Sequence, residues 1–125
     1  YSSKVRRIQK YLEMVFHIKL ENALLFSINE NMITPWNPFF EGNLRRIEGE
    51  EQLLRVNNKK VKITPYVLPH TSTFNQLDSK NAAGVKGWRD HQGFYIYRAG
   101  RMVSFGDWFG MFSKDIPSEL VRIKI

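Results

Sequence analysis

The chain has 125 residues and a mass of 14.8 kDa, and its 19 Lys plus Arg against 12 Asp plus Glu give a formal net charge of +7 and a pI of about 9.8. Hydrophobic residues make up 42% and aromatic residues 14%, which exceeds what a disordered chain carries and predicts one folded domain with its own core. The lack of cysteine excludes disulfides, zinc–thiolate sites and thiol nucleophiles.

The first predicted element is an amphipathic helix. Within residues 4–16 the apolar side chains recur at spacings of three and four, with no Gly or Pro between them: Val5, Ile8, Leu12, Val15 and Phe16. Ser2 or Ser3 is the expected N-cap. Arg6, Arg7 and Lys10 fall on the opposite face of the helix, which we interpret first as a solvated surface.

Three segments of different character follow the helix. Residues 23–28 form a short apolar run before a polar turn, which predicts a buried strand. Residues 33–40 hold two prolines and three aromatic residues, which predicts an extended loop whose rings pack on the core. Residues 41–51 are polar and mixed in charge, as is typical of a surface excursion.

Residues 53–64 predict a β-hairpin, because two turn-prone residues, Asn57 and Asn58, lie between arms with β patterning. The second arm alternates, so we expect Lys60, Lys62 and Thr64 on a solvated face and Val61, Ile63 and Pro65 on a buried face. Pro65 is expected to end that strand. Residues 71–92 lack clear periodicity and predict a long loop with a short helix over residues 74–77.

A second hairpin gives the strongest β signal. Residues 92–105 form two arms rich in aromatic and β-branched residues around the dipeptide Ala99-Gly100. Residues 120–125 alternate as a last strand. Because this apolar strand runs to the last residue without a polar cap, we expect the sheet to continue in a longer polypeptide.

These elements predict an α+β fold with a single sheet covered on one side by helix. We treat residues 1–125 as one domain, in which residues 1–20 are a connecting helix and residues 21–125 form the sheet part. No internal repeat is present.

No constellation of side chains predicts an active site or a metal site. The three histidines, His17, His70 and His91, have no metal-ligand spacing on a helix. Asp90-His91 could serve a small hydrolase, but the chain offers no nucleophile in a sharp turn, since Ser104 lies in a predicted strand. We therefore predict no catalytic residues and no metal.

Three stretches taken together resemble a known family. They are Ser27–Asn29 with Thr34–Phe39, then Val61–His70, then Gly87-Trp88 through Gln92–Val103 and Gly106–Gly110. In their order and spacing they look like the region that follows the ATP-binding domain in bacterial ATPases of the gyrase, heat-shock chaperone, histidine kinase and MutL (GHKL) superfamily. The resemblance covers residues 5–125.

The resemblance implies a transducer domain with the fold of the second domain of a small-subunit ribosomal protein. That fold is a mixed sheet with helices on one face and a left-handed β-α-β crossover, against the usual right-handed rule. The implied function is coupling without catalysis: ATP with Mg binds an N-terminal domain of the same parent chain, and the transducer relays closure to a homodimer. The fragment itself would hold no cofactor.

The resemblance also implies site residues. The family-motif residues are Pro35, Trp36, Pro38, Pro69, His70, Trp88, Gln92, Gly93, Arg98, Arg101, Trp108 and Gly110. Arg98 and Arg101 match the family's Arg-x-x-Arg hairpin and are the candidates for nucleotide contact. The family's phosphate-contacting lysine follows the strand that matches residues 120–125, and no counterpart lies within these residues.

A nucleic-acid-binding module is the alternative function. Its features would be the basic pI and the strand that carries Phe94, Tyr95 and Tyr97, on which bases could stack. The distribution of charge argues against this alternative, because the excess of basic residues lies in residues 1–20 and 81–125, while residues 21–80 carry no net charge. With no apolar run approaching 18 residues, we expect a cytoplasmic protein without membrane contact.

Overall fold

The computed structural model describes residues 2–22, 24–40, 46–70 and 76–125, and it confirms an α+β fold. In chain order the helices and strands are α1 Ser3–Val15, α2 His17–Glu21, β1 Ser27–Ile28, β2 Asn31–Met32, β3 Ile47–Glu48, β4 Gln52–Val56, β5 Lys59–Val67, α3 Gln76–Ala83, β6 Gly93–Arg98, β7 Arg101–Asp107 and β8 Val121–Lys124. A single 3₁₀ turn, Arg89–His91, precedes β6.

Helix α1 begins where the sequence predicts. The Oγ of Ser2 accepts a hydrogen bond from the Val5 amide at 3.2 Å, which satisfies one of the free N–H groups of the first turn. The helix ends at Val15, and Phe16 separates it from the short α2. Of the predicted apolar face, Val15 is buried but Ile8 is 53% exposed, and Glu13 and Met14 are buried instead, while Arg6, Arg7 and Lys10 are exposed. The amphipathic pattern is therefore confirmed only in part.

Six strands form a mixed sheet in the order β3-β5-β8-β6-β7, and β4 also pairs with β5. All pairs are antiparallel except β6 with β8. Strand β8 therefore lies at the centre, hydrogen-bonded to β5 on one side and to β6 on the other. Strands β1 and β2 form a separate two-stranded ribbon.

Both predicted hairpins are confirmed. Asn57 and Asn58 have φ values of 50° and 64°, and Ala99 and Gly100 have φ values of 51° and 77°. Positive φ at both central residues is the signature of a type I′ turn, whose twist matches that of the flanking strands. Local turn chemistry thus sets the register of β4 with β5 and the pairing of Arg98 with Arg101 at the tip of the second hairpin, whereas the register of β6 with β7 shifts farther from the turn, between Phe94 and Tyr97.

The core lies between the sheet and one layer that covers it. Met14 of α1 and Phe39 of the loop before residue 40 pack against Tyr66, Tyr95 and Met102 of three strands. Fully burying side chains of this size contributes about 1.5–3 kcal/mol each relative to exposure. The expected packing of the proline-rich loop on the core is therefore confirmed.

The opposite face of the sheet is more open to solvent. Strand residues that alternate with the core residues remain exposed there, Val67 by 37% and Val103 by 57%. Strand β4 and its turn project from the sheet as an arm, and all five β4 residues are exposed. The helices α1 and α2 contact β7 on the covered side.

Three local predictions are wrong in detail. Only Ser27–Ile28 of the apolar run is a strand, and Leu25 is 80% exposed, because this segment leaves the sheet and pairs only with β2. Strand β5 continues through Pro65 to Val67. Pro65 is tolerated because no hydrogen bond from its backbone nitrogen is needed at this position, while its carbonyl accepts a hydrogen bond from the Gly49 amide at 2.8 Å.

The expected alternation in β5 also fails where the strand enters the core. Thr64 is buried to 8% exposure and Pro65 is half-buried, the reverse of the expectation. Thr64 shares its face of β5 with Tyr66, on which Phe39 of the proline-rich loop packs. The predicted short helix is α3, which starts at Gln76 and runs to Ala83; Phe74 and residues 41–45 lie outside the described residues.

The connections between strands differ from the implied β-α-β crossover. The parallel strands β6 and β8 are joined through β7 and a helix-free segment. Helix α3 connects β5 to β6, which run in opposite directions because each pairs with β8 in a different sense. Within the described residues no helix links two neighbouring parallel strands, so there is no β-α-β crossover whose handedness could be assigned.

Candidate functional site

A buried arginine lies at the centre of the motif residues. The Arg122 guanidinium donates one hydrogen bond to the Pro38 carbonyl at 2.8 Å and another to the Ala82 carbonyl at 2.9 Å. Its carbon Cζ lies 5.5 Å from the ring centroid of Trp36 and 5.4 Å from that of Trp88. The cation is therefore held by two carbonyls and two tryptophan rings.

The electrostatic setting of Arg122 is unusual because its side chain is fully buried and no carboxylate among the described residues pairs with it. Burial lowers the pKa of Arg122 from its ordinary value, and the neighbouring Tyr95 opposes that change. Its Nε has no hydrogen-bond partner among the described residues. Arg122 thus ties α3 and the proline-rich loop to the central strand.

Gln92 forms a second buried node just before β6. Its Nε2 donates to the carbonyls of Arg89 at 2.9 Å and Asp115 at 2.8 Å, and its Oε1 accepts from Trp108 Nε1 at 2.9 Å. The next residue, Gly93, has φ 118°, and a Cβ there would lie 2.9 Å from the Asp107 backbone. These motif residues have structural roles at the start of the second hairpin.

His91 is a neutral core histidine. The Tyr95 hydroxyl donates to the His91 carbonyl, so its oxygen is free to accept from Nδ1–H of His91 at 3.2 Å. Nε2 accepts from the Lys86 amide at 3.1 Å. Burial lowers the pKa of His91 to about 3, aided by the positive charges of Arg122, Lys86 and Lys114. Burial also raises the pKa of Tyr95 to about 12.

Asp90 and His91, which were considered for a hydrolase and not predicted to be catalytic, do not form a catalytic pair. Asp90 is exposed and its carboxylate lies 4.0 Å from Lys114 Nζ, while the ring of His91 forms hydrogen bonds with Tyr95 and the Lys86 amide. With its pKa lowered to about 3, His91 is too weak a base to activate a nucleophile near neutral pH. The part of the chain that the structure describes has no group of three or more His, Asp or Glu able to hold a metal.

The strand of the nucleic-acid alternative does not present stacking surface. Tyr95 is 0% exposed, and the Tyr97 hydroxyl lies 2.6 Å from Nε2 of His17. Phe94 packs against the rings of Trp108 and Phe109 at 5.3 and 5.9 Å. These rings are engaged within the protein, as packing on both faces of a sheet requires.

The remaining motif residues divide between core and surface. Trp36 is half-buried and its Nε1 donates to the Asn81 carbonyl at 2.8 Å. Pro69 is buried, whereas Pro35, His70 and Gly110 are exposed. The structure therefore gathers half of the motif residues around Arg122 and Gln92 and leaves these three, with Arg98 and Arg101, on the surface.

Arg98 and Arg101 lie at the tip of the second hairpin and form what we call the cationic turn, together with Lys19 of α2. The two arginines are directly opposite each other in the register of β6 and β7, and both are exposed. A Cβ placed on Gly100 would lie 3.7 Å from Lys19 Nζ. Arg101 also lies over the Phe16 ring at 5.5 Å. No carboxylate of the described residues pairs with these three cations.

Two members of these sites were missed at the sequence level. Arg122 lies in a strand whose alternating pattern predicts an exposed cation. Its hydrogen-bond partners, Pro38 and Ala82, are 84 and 40 residues away in the sequence. Lys19 belongs to a separate short helix that no local signal ties to the hairpin tip.

Searches of family models, curated proteins and solved structures found no match to the chain. Among the described helices, none has the length and apolar character to cross a membrane.

Proposed function

We propose that this chain is a non-catalytic coupling domain of a GHKL-type ATP-binding protein, in which the cationic turn senses the nucleotide phosphates held by an ATP-binding domain. ATP with Mg would belong to that partner domain. A homodimer would be the assembly in which closure is relayed. The observation that supports the proposal is that three basic residues cluster at the exposed tip of the second hairpin.

The turn is held in a state that an anion would stabilise. Like charges directly opposite on neighbouring strands repel each other, and the register of the hairpin keeps Arg98 opposite Arg101. Lys19 adds a third positive charge from α2. A polyphosphate brought to this turn would relieve the repulsion and accept charge-assisted hydrogen bonds from both guanidinium groups.

The free energy available from the turn is of the same order as the free energy that a switch requires. Each hydrogen bond to a charged group contributes about 1.5–3 kcal/mol, so two such bonds made only in the closed arrangement would favour closure by about 3–6 kcal/mol. Moving a two-state equilibrium from 1:99 to 99:1 needs about 5.5 kcal/mol. Contact between the turn and a γ-phosphate could therefore convert ATP binding into a change of domain arrangement.

A rigid path leads from the turn into the domain. Strand β6 carries Arg98 at one end and, at the other, Gly93 opposite Arg122 of β8. Arg122 in turn binds the proline-rich loop and α3. A force on the turn would thus act on a hydrogen-bonded sheet and its covering layer as one body.

The first test is calorimetry of the chain with ATP and Mg. We expect no turnover and no micromolar binding, because the turn supplies cations without a pocket for the base or a site for the metal. Micromolar binding or phosphate release by the chain alone would overturn the proposal.

The second test measures coupling in a protein that carries this chain beside an ATP-binding domain. Arg98→Gln combined with Arg101→Gln should leave nucleotide binding within about threefold but weaken ATP-dependent closure or dimerisation by at least about tenfold. The matched control is Arg55→Gln on the exposed arm of β4. If the control and the double variant behave alike, the cationic turn is not the sensor.

A further inference from the structure

Two adjoining cavities lie between α1 and the segment that follows α3, away from the cationic turn. Their volumes are about 390 and 820 Å³, and both are lined by Lys10, Met14 and Val85. Together they form one groove, which we call the α1 groove. Its residues differ from those of the cationic turn, so the two proposals can fail independently.

One wall of the groove is a single stripe of α1. The lining residues of the larger cavity follow the helical spacing of three and four: Ser3, Arg6, Arg7, Lys10, Tyr11 and Met14. At 1.5 Å per residue this stripe is about 16 Å long, which matches about three turns of a helix lying alongside. The groove thus has the length of a helical peptide site.

The floor of the groove is apolar and open. Val85 is 61% exposed and Tyr11 is 48% exposed, while Met14 and Phe105 lie deeper. Apolar side chains exposed together in a concave site mark a surface that a partner covers.

The rim is positively charged. Arg6, Arg7 and Lys86 line the larger cavity and no carboxylate of the described residues pairs with them. Glu13 lies close by but is 3% exposed, and its oxygens already contact Lys10 at 3.1 Å and Thr34 at 3.3 Å. The charge of the rim is therefore complementary to an acidic partner.

The aromatic rings of the groove favour apolar side chains over bases as occupants. Lys86 Nζ lies 4.6 Å from the Phe105 centroid, and the His91 ring stacks against Phe105 at 6.3 Å. Trp36 has Arg122 at 5.5 Å and His91 at 5.2 Å. Base stacking on Phe105 or Trp36 would require these neighbours to move, whereas Leu or Phe side chains can pack against Val85 and Tyr11 directly.

We propose that the α1 groove binds an acidic amphipathic helix of a partner protein. Its apolar face packs on Tyr11 and Val85, and its carboxylates meet Arg6, Arg7 and Lys86. This is the helix-in-groove mode of recognition, with the charged rim setting orientation and association rate.

The test is fluorescence anisotropy with a labelled, end-capped peptide of about 18 residues that carries Leu on one helical face and Glu elsewhere. We expect micromolar binding, and binding at least about tenfold weaker for a scrambled peptide of the same composition, because the apolar anchors no longer align. Equal binding of the scrambled peptide would reduce the site to unspecific charge attraction and overturn the proposal. So would the absence of binding.

Variants locate the site. Arg7→Glu with Lys86→Glu, and separately Val85→Ser, should each weaken the peptide by about tenfold or more. The matched control is Lys60→Glu with Lys62→Glu on the β4–β5 hairpin, which should change binding by less than about threefold. Thermal melting of each variant shows that it is folded. If the groove variants bind as the parent does, the peptide lies elsewhere and the proposal is wrong.

An oligothymidylate of about 15 nucleotides serves as the competing probe. We expect it not to displace the peptide. If it binds in competition, with an affinity that falls about fifty-fold between 50 and 200 mM salt, as contact with about four phosphates requires, the groove is a nucleic-acid site and the peptide proposal is overturned.

Discussion

At the scale of single residues, the hydrogen bonds of His91 fix both its tautomer and its charge. The proton is on Nδ1, which faces the Tyr95 oxygen, while Nε2 is occupied by the Lys86 amide. A second proton would have to point at that N–H group. Burial and the cations Arg122, Lys86 and Lys114 act in the same direction and lower the pKa of His91 to about 3.

This arrangement predicts acid sensitivity. The unfolded chain binds a proton at His91 below pH 6.5, whereas the folded chain does not until about pH 3, so the free energy of unfolding falls as the pH drops through that window. The loss approaches about 1.4 kcal/mol per pH unit below pH 6.5, and above it the contribution of His91 is constant. Urea unfolding at several pH values between pH 7 and pH 4.5 measures this loss of unfolding free energy.

The variant that isolates the effect is His91→Gln, whose amide can both donate to Tyr95 and accept from Lys86 but does not titrate. Its unfolding free energy should vary less steeply with pH than that of the parent chain. Equal slopes for the parent chain and His91→Gln would show that His91 does not cause the acid sensitivity.

At the scale of elements, the turn between β6 and β7 holds a residue that fits it poorly. Ala99 has φ 51°, a left-handed conformation that costs a residue with a Cβ about 1–2 kcal/mol. Asn adopts this conformation readily and Asn-Gly is the preferred pair for a type I′ turn. We expect Ala99→Asn to stabilise the fold by about 0.5–1 kcal/mol and Ala99→Val to destabilise it by about 1 kcal/mol or more.

Urea denaturation of the two variants and the parent chain checks this order. Ala99 is exposed, so neither change alters the packing of the core. A lower midpoint for Ala99→Asn, or no difference between the Asn and Val variants, would mean that the turn conformation is not what limits stability here.

The elements that the sequence predicts well are those whose cause is local. Both hairpins and α1 follow from turn residues, an N-cap and helical spacing. Arg122 could not be predicted, because its burial depends on carbonyls of Pro38 and Ala82 that the fold brings to it. The predicted exposure of Thr64 is wrong for a related reason: the layer that packs on the sheet, and not the alternation of β5, decides which face of the strand is buried.

The candidate sites divide in the same way. Arg98 and Arg101 could be placed at a hairpin tip because the turn lies between them in the sequence. The contribution of Lys19 to the cationic turn, and the meeting of α1 with Val85 and Phe105 in the α1 groove, depend on contacts between distant segments. Such contacts leave no periodic signal in the sequence.

At the scale of the whole molecule, the sheet combines a central part with a projecting arm. Strand β8 is hydrogen-bonded on both sides and carries the buried Arg122. Strand β4 pairs with β5 and, within the described ranges, with no other strand, and all its residues are exposed. Local opening costs least where few apolar contacts are lost, so the arm should open without the rest of the sheet.

Amide hydrogen exchange measures this division. We expect the β8 and β6 amides to exchange only through global unfolding and the β4 amides to exchange faster by at least about a hundredfold, which corresponds to an opening free energy lower by about 2.7 kcal/mol. Asn57→Val, which puts a β-branched residue at φ 50° in the arm turn, should speed exchange in β4 while leaving the global urea midpoint nearly unchanged. Ala99→Val, in the central hairpin, should lower that midpoint. If Asn57→Val lowers it as much as Ala99→Val does, the arm and the central sheet unfold as one unit.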